Sequence, residues 1–280
     1  MTKKAYRRSR KKVQEPELIP KSWFKAAGIV LAGVLLFYLF RDPVLYLIKS
    51  STRFPYLAHK AEEWLDANSI HKIRPKGYNV YGIDVSHHQQ EIEWEQLRQE
   101  KIAFIFMKAT EGTNHHDKYF KRHWDYAYKH GIMRGAYHFF LPSRDAEEQA
   151  KHFISQVKLR YGDLPPVLDV EVTNRRSSEE IRKGTKTWLD AVEKHYGIKP
   201  IIYTNYSFYQ EHLAGHFDDY LLWVAHYNTE KFIKKNYANW AFWQHSEKGK
   251  LKGIKGAVDC NVFHGSMKEL EDLCYMPELN

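Results

Sequence analysis

Val167-Leu168-Asp169-Val170-Glu171-Val172 is an apolar run that carries two carboxylates two residues apart. Side chains alternate between the faces of a β-strand, so a strand here sends Asp169 and Glu171 out of the same face. Like charges crowded into a partly desolvated place raise one pKa and leave a proton donor beside an ionised neighbour, the arrangement that glycoside hydrolysis uses. The plainer alternative is a strand end whose acids face water or pair with Arg175 and Arg176.

The flanking sequence repeats a rhythm of short apolar strands and helical stretches. Strands are expected at Val80 to Val85, Phe104 to Ala109, Arg134 to Phe139, Pro166 to Val170 and Pro200 to Thr204. Helices follow at Tyr119 to His130, Asp145 to Leu159 and Ser178 to Tyr196, the last opened by the capping sequence Ser177-Ser178-Glu179-Glu180. Beyond Thr204, Tyr220 to Ala225, Trp240 to Gln244 and Gly256 to Val262 read as strands, with too little chain between the last ones for full helices. The expectation is an α/β fold, a TIM-like barrel of five β/α units followed by three strands, with an open α/β sheet as the alternative. No dinucleotide fingerprint or phosphate loop follows any strand, and no sequence repeat is evident.

A barrel of this kind gathers its functional residues at the carboxyl ends of its strands. Read that way, Asp84 closes the first strand, Lys108 and Glu111 the second, Tyr137 and Phe139 the third, Asp169 and Glu171 the fourth. Tyr203 closes the fifth, Trp223 and Tyr227 the sixth, Gln244 the seventh and Asp259 the eighth. Four carboxylates, at strands one, four and eight, then meet in one bowl, because the first and eighth strands become neighbours on closure. Aromatic residues around such a bowl suit sugar rings, although each taken singly is an ordinary core residue.

The chain has 280 residues, 43% apolar and 15% aromatic, enough for one large domain with an appendage. Residues 1–25 hold nine Lys or Arg against two Glu, so only +2 of the formal +9 belongs to the rest. That distribution removes the simplest support for a nucleic-acid partner. Ala26 to Phe40 is an unbroken run of apolar and small residues, bounded by Trp23, Phe24 and Lys25 before and Arg41 after. As a helix it spans about 22 Å against a hydrocarbon core of about 30 Å, and the flanking aromatics and cations make up the difference. A signal peptide that is removed and an uncleaved signal anchor are the two readings, and the lack of a convincing small-x-small cleavage site after the run favours the anchor.

The expected organisation is a basic cytoplasmic tail (1–22), a transmembrane anchor (23–42), a juxtamembrane spacer (43–77) and a barrel domain (78–280). The positive-inside rule puts the barrel beyond the cytoplasmic membrane, in periplasm or wall. Cys260 and Cys274 can then pair or remain buried thiols, and they lack zinc-site spacing. The pairs His87-His88 and His115-His116 lack the helical spacing of a zinc hydrolase, and no G-x-S-x-G elbow is present. No metal or cofactor is expected.

Seven co-linear motifs over about residues 78–270 resemble the glycoside hydrolase family 25 lysozymes. They are Gly82-Ile83-Asp84-Val85-Ser86, Lys108-Ala109-Thr110-Glu111-Gly112, Gly135-Ala136-Tyr137-His138-Phe139, Leu168-Asp169-Val170-Glu171, Trp223-Val224-Ala225-His226-Tyr227, Trp243-Gln244 and Val258-Asp259-Cys260-Asn261. The resemblance implies an N-acetylmuramidase that cuts the β-1,4 bond between N-acetylmuramic acid and N-acetylglucosamine in peptidoglycan. It implies Glu171 as general acid, with Asp84, Asp169 and Asp259 completing the acidic site; Lys108, Glu111, Tyr137, Phe139, Tyr203, Trp223, Tyr227 and Gln244, read from their places at strand ends, are the residues expected around the glycan. Retention through an aspartate nucleophile or through the substrate's acetamido group both remain open, the position of Asp169 favouring the second. A peptidoglycan-binding barrel without turnover and a chitinase-like or endo-N-acetylglucosaminidase enzyme are the alternatives. Cys260 departs from the family's polar or small residue at its slot.

Overall fold

The computed structural model describes residues 74–227 and 240–277. The expected basic tail, the anchor at 23–42 and the spacer up to residue 73 lie outside the described residues. Among the described residues no helix is long and apolar enough to cross a membrane.

Nine strands form one sheet: β1 (Val80–Val85), β2 (Phe104–Glu111), β3 (His115–His116), β4 (Met133–Phe139), β5 (Val167–Asp169), β6 (Ile201–Asn205), β7 (Leu222–Ala225), β8 (Trp240–Gly249) and β9 (Val258–Phe263). The order is β1-β9-β8-β7-β6-β5-β4-β2-β3, and β1 also pairs with β2. That pairing closes eight strands into a barrel and leaves β3 as a hairpin arm on β2. The open-sheet alternative falls with it.

The helices are α1 (Trp94–Leu97), α2 (Phe120–Lys129), α3 (Ala146–Gln156), α4 (Ser178–Tyr196), α5 (Tyr206–Phe208) and α6 (Met267–Asp272). α4 starts where the capping sequence predicts. Ser177 Oγ accepts the Glu180 amide while the Glu180 carboxylate accepts the Ser177 amide, and Gly197 ends the helix in the left-handed region at φ 71°. Its buried residues Ile181, Thr185, Trp188, Leu189 and Val192 recur at helical spacing and form the face laid on the barrel.

Two features of the expected architecture need correction. Of the five expected β/α units, only those begun by β2, β4 and β5 carry helices of ten or more residues, among the described residues. β1 leads to the four-residue α1 and 3-10 turns, and β6 to α5 and a π turn at Tyr209–Leu213. The last strand is also reversed, since β9 pairs antiparallel with both β8 and β1. Parallel neighbours need a crossover of a dozen or more residues, and the short link from Gly249 to Val258 permits only a hairpin. That hairpin rests on α1, where the Glu93 amide donates to the Gly253 carbonyl at 2.8 Å.

Strand alternation divides the core into two layers. Phe104, Phe106, Val167, Ile201, Tyr203, Trp223, Phe242 and Phe263 fill the barrel, while Ile83, Ile105, Leu168, Ile202 and Val224 pack outward with Trp188, Leu189 and Phe153 of the helical shell. Two glycines make room for the interior rings. A Cβ on Gly82 would lie 2.4 Å from the Phe104 ring, and one on Gly135 2.4 Å from that of Phe106. Cys260 and Cys274 are both buried and free. Burial pushes their thiols up to about 12 and about 11, respectively.

Candidate active site

Each inward-facing series changes from apolar to polar toward one end of the barrel. Phe104 and Phe106 precede Lys108 on β2, Val167 precedes Asp169 on β5, and Phe242 precedes Gln244 on β8. On the reversed β9 the same gradient reads backwards, from Phe263 through Asn261 to Asp259. Asp259 therefore opens its strand instead of closing it, and the reversal brings it to the same rim as the other acids.

Asp84 and Asp259 are register partners across the antiparallel β1–β9 pair, and their carboxyl groups hydrogen-bond to each other. Asp84 Oδ2 also accepts Nε2 of Gln244 and Nδ2 of Asn261, each at 2.8 Å. Burial, followed by the neighbouring Asp259 charge, pushes Asp84 well above the usual carboxylate range. Burial pushes Asp259 up to about 6, against the hydrogen bond from Asp84.

On the facing wall, Asp169 is 5% exposed and its Oδ1 has no hydrogen-bond partner among the described residues. Burial first, then the charge of Glu171, raise its pKa well above normal. Glu171 is half-buried just beyond the end of β5. Burial raises its pKa, Lys108 opposes the rise and Asp259 adds to it. A carboxyl group whose pKa is raised in a half-open site suits the chemistry of a general acid.

Lys108 and Glu111 stand on this wall through a β-bulge. The β2–β4 register shifts between Lys108 and Thr110, so Thr110 turns outward to bond His138 Nδ1 at 2.7 Å while Glu111 comes beside Phe139. Lys108 Nζ then donates to Glu111 Oε2 at 2.6 Å and lies 4.8 Å from the centre of the Phe139 ring. Tyr137 is half-buried within the electrostatic reach of Asp84, Asp169 and Asp259. Tyr227 is half-buried, its hydroxyl donating to Gln244 Oε1 at 2.5 Å.

Three residues expected to contact glycan lie lower. Trp223 and Gln244 are each 2% exposed and Tyr203 is 8% exposed. Trp223 stacks on Phe106 at 4.5 Å, and its indole N–H is used on Asn261 Oδ1 at 2.8 Å. Tyr203 donates to Gln244 Oε1 at 2.9 Å. Packing of the barrel interior puts all three beneath the bowl, in the layer that supports the acids. Asn261 belongs to that layer and was not among the expected site residues. The alternation Asp259, Asn261 on one strand face was the signal available for it. Outside the bowl, Asp117 accepts the His87 amide at 2.7 Å and its Nδ1 at 3.0 Å, which occupies one of the histidine pairs. Among the described residues no group of three or more His, Cys, Asp or Glu is arranged to hold a metal ion.

Residues 83–254 match the family described as Glycosyl hydrolases family 25. The chain is 45% identical over 202 residues to YegX, an uncharacterised protein of Escherichia coli K12, covering 70% of this chain and 74% of that one. It is 34% identical over 210 residues to lysozyme M1 of Streptomyces globisporus, covering 68% and 70%. A family 25 glycosyl hydrolase structure from Bacillus anthracis superposes with a TM-score of 0.67 at 33% identity, covering 72% of this chain and 96% of that one. A bacterial lysozyme structure from Streptomyces coelicolor gives 0.66 at 32%, covering 71% and 99%. With the match covering Asp84, Asp169 and Glu171, the chain belongs to glycoside hydrolase family 25 and is a lysozyme-type glycoside hydrolase.

Proposed function

We propose that this protein is a membrane-anchored N-acetylmuramidase that cleaves the β-1,4 bond between N-acetylmuramic acid and N-acetylglucosamine in peptidoglycan. The observation that carries the reading is the pair at the end of β5, a half-buried Glu171 whose pKa is raised by burial beside a buried Asp169 whose Oδ1 lacks a hydrogen-bond partner among the described residues. Glu171 donates its proton to the glycosidic oxygen as the bond to the leaving sugar breaks. The acetamido carbonyl oxygen of the substrate attacks the anomeric carbon, and Asp169 accepts the acetamido N–H and stabilises the positive charge that develops. Glu171, now a carboxylate, takes a proton from the water that opens the ring intermediate, and the acid is restored. Tyr137, Phe139 and Tyr227 offer ring surface at the rim.

Residues 23–42 anchor the chain with its tail inside and its barrel outside the cytoplasmic membrane, which supports action on the cell's own wall. Carbonate extraction checks the anchor: the full chain stays with the membrane pellet, and release into the supernatant overturns it. The activity is tested by digesting purified peptidoglycan with the full chain, reducing the products and identifying them by mass spectrometry, beside Glu171→Gln. New reducing ends on muramic acid, absent from the variant, are expected. Reducing ends on glucosamine point to a glucosaminidase, and binding without cleavage to a non-catalytic barrel.

A further inference from the structure

We infer that Asn261 and Gln244 are positioning residues which place one shared proton between Asp84 and Asp259. They do so by directing two N–H groups at a single oxygen of Asp84, which leaves its other oxygen as the seat of the proton. The inference deepens the reading of the bowl as the active site and rests on it.

The orientation of the Asn261 amide decides the matter. An amide can present either its oxygen or its nitrogen, but an indole N–H can only donate. Trp223 Nε1 donates to Asn261 Oδ1 at 2.8 Å, so Asn261 Nδ2 must face Asp84 Oδ2, also at 2.8 Å. Gln244 is oriented in the same sense. Two phenol hydroxyls, of Tyr203 and Tyr227, converge on its Oε1, and its Nε2 turns to the same Asp84 Oδ2. Oδ2 thus has both lone pairs engaged by N–H donors and is the carbonyl-type oxygen. A proton on Asp84 must sit on Oδ1, and the neighbouring carboxylate of Asp259 is the acceptor available to it.

All of these residues except Tyr227 are anchored on strands, and Asp84, Gln244 and Asn261 are buried in the barrel. Asn261 is the register partner of Gly82, two positions along the strand face from the Asp84–Asp259 pair. The other titratable groups that act on Asp84 or are acted on by it are Cys260 of β9, Tyr137 of β4, Asp169 of β5, Tyr203 of β6 and Tyr227 beyond β7. None of them donates to Asp84 in the arrangement described. With Asp84 neutral, the pair carries one negative charge on Asp259, and that charge favours the protonated form of Glu171. The two amides therefore act on the proposed acid through an intermediate carboxylate.

The test is an infrared titration of the full chain in D2O, read at the carbonyl stretch of protonated carboxyl groups, alongside the pH dependence of peptidoglycan cleavage. Near neutral pH the native protein should show a protonated-carboxyl band that Asp84→Asn removes. Asn261→Leu deletes one donor to the anionic pair, so the pair holds its second proton to higher pH. Its titration and the acidic limb of kcat/KM should both move up by about one pH unit, with KM changed less than about threefold. Trp223→Phe keeps an aromatic core residue but frees the Asn261 amide, and should move both in the same direction if Asn261→Leu does not fold. A uniform fall in kcat at every pH with an unmoved infrared titration would make Asn261 merely structural and overturn the inference. So would the absence of an Asp84-dependent band. An intact band in a protein without muramidase activity would overturn the proposed function and leave the shared proton standing.

Discussion

The Lys108 ammonium lies 2.6 Å from the Glu111 carboxylate although the two are three residues apart on one strand, where strict alternation would send them to opposite faces. The bulge after Lys108 is what turns both into the bowl. Lys108 lowers the proton affinity of both Asp169 and Glu171. Lys108→Met should therefore raise the pKa of both acids. The alkaline limb of kcat/KM, which follows loss of the Glu171 proton, should move to higher pH, while kcat falls about tenfold because Asp169 is harder to ionise. A pH–rate profile decides it, and an unmoved alkaline limb would remove Lys108 from the site's electrostatics.

Glu171→Gln should lower kcat by a factor of about 10² to 10⁴, the usual contribution of a general acid. Its half-buried side chain has a raised pKa through burial, so the neutral amide should leave thermal stability unchanged or slightly higher at neutral pH. Melting temperature and turnover measured on the same preparation separate the two effects. A variant with near-native turnover would sink the assignment of the acid.

Gly82→Ala places a methyl group 2.4 Å from the Phe104 ring. Overpacking of this kind costs about 1–3 kcal/mol. Chemical denaturation should show that loss, and Phe104→Leu in the same chain should restore part of it. If Phe104→Leu restored nothing, the glycine would be required for some reason other than the ring.

His138 is fully buried between Thr110 and Gln149, and burial lowers its pKa to about 3. The unfolded chain takes up a proton at this residue near pH 6.5, whereas the folded chain refuses it until about pH 3. Stability contributed by neutral His138 is thus present above about pH 6.5 and is lost progressively as the pH falls toward 3. His138→Leu should flatten the decline in urea midpoint across that window, at the cost of lower stability at neutral pH from the lost hydrogen bonds. An equally steep decline in the variant would assign the proton uptake elsewhere.

Much of the fold was legible because its periods are local. The strand Val80–Val85 and the helix Ser178–Tyr196 coincide with the segments marked from alternation and capping, since both depend on neighbours within a few residues. Asp169 was legible for the same reason, closing β5 where alternation puts it, whereas Glu171 lies just beyond the strand. What could not be read locally was decided by contacts between distant segments. Closure of β1 on β2, the reversed course of β9 and the bulge in β2 depend on pairing partners.

The site divides along the same line. The amino-acid order determined which carboxyl groups reach the rim, because strand geometry sets the direction of every second side chain. Tertiary packing decided what each polar residue does there. Trp223, Tyr203 and Gln244 look like glycan contacts when read as strand ends, yet the barrel interior claims them. The Trp223 indole N–H is directed at Asn261, the Tyr203 hydroxyl at Gln244 and the Gln244 amide at Asp84. Burial strips these groups of water, so each must find its partner within the protein, and only the closed barrel brings those partners within reach.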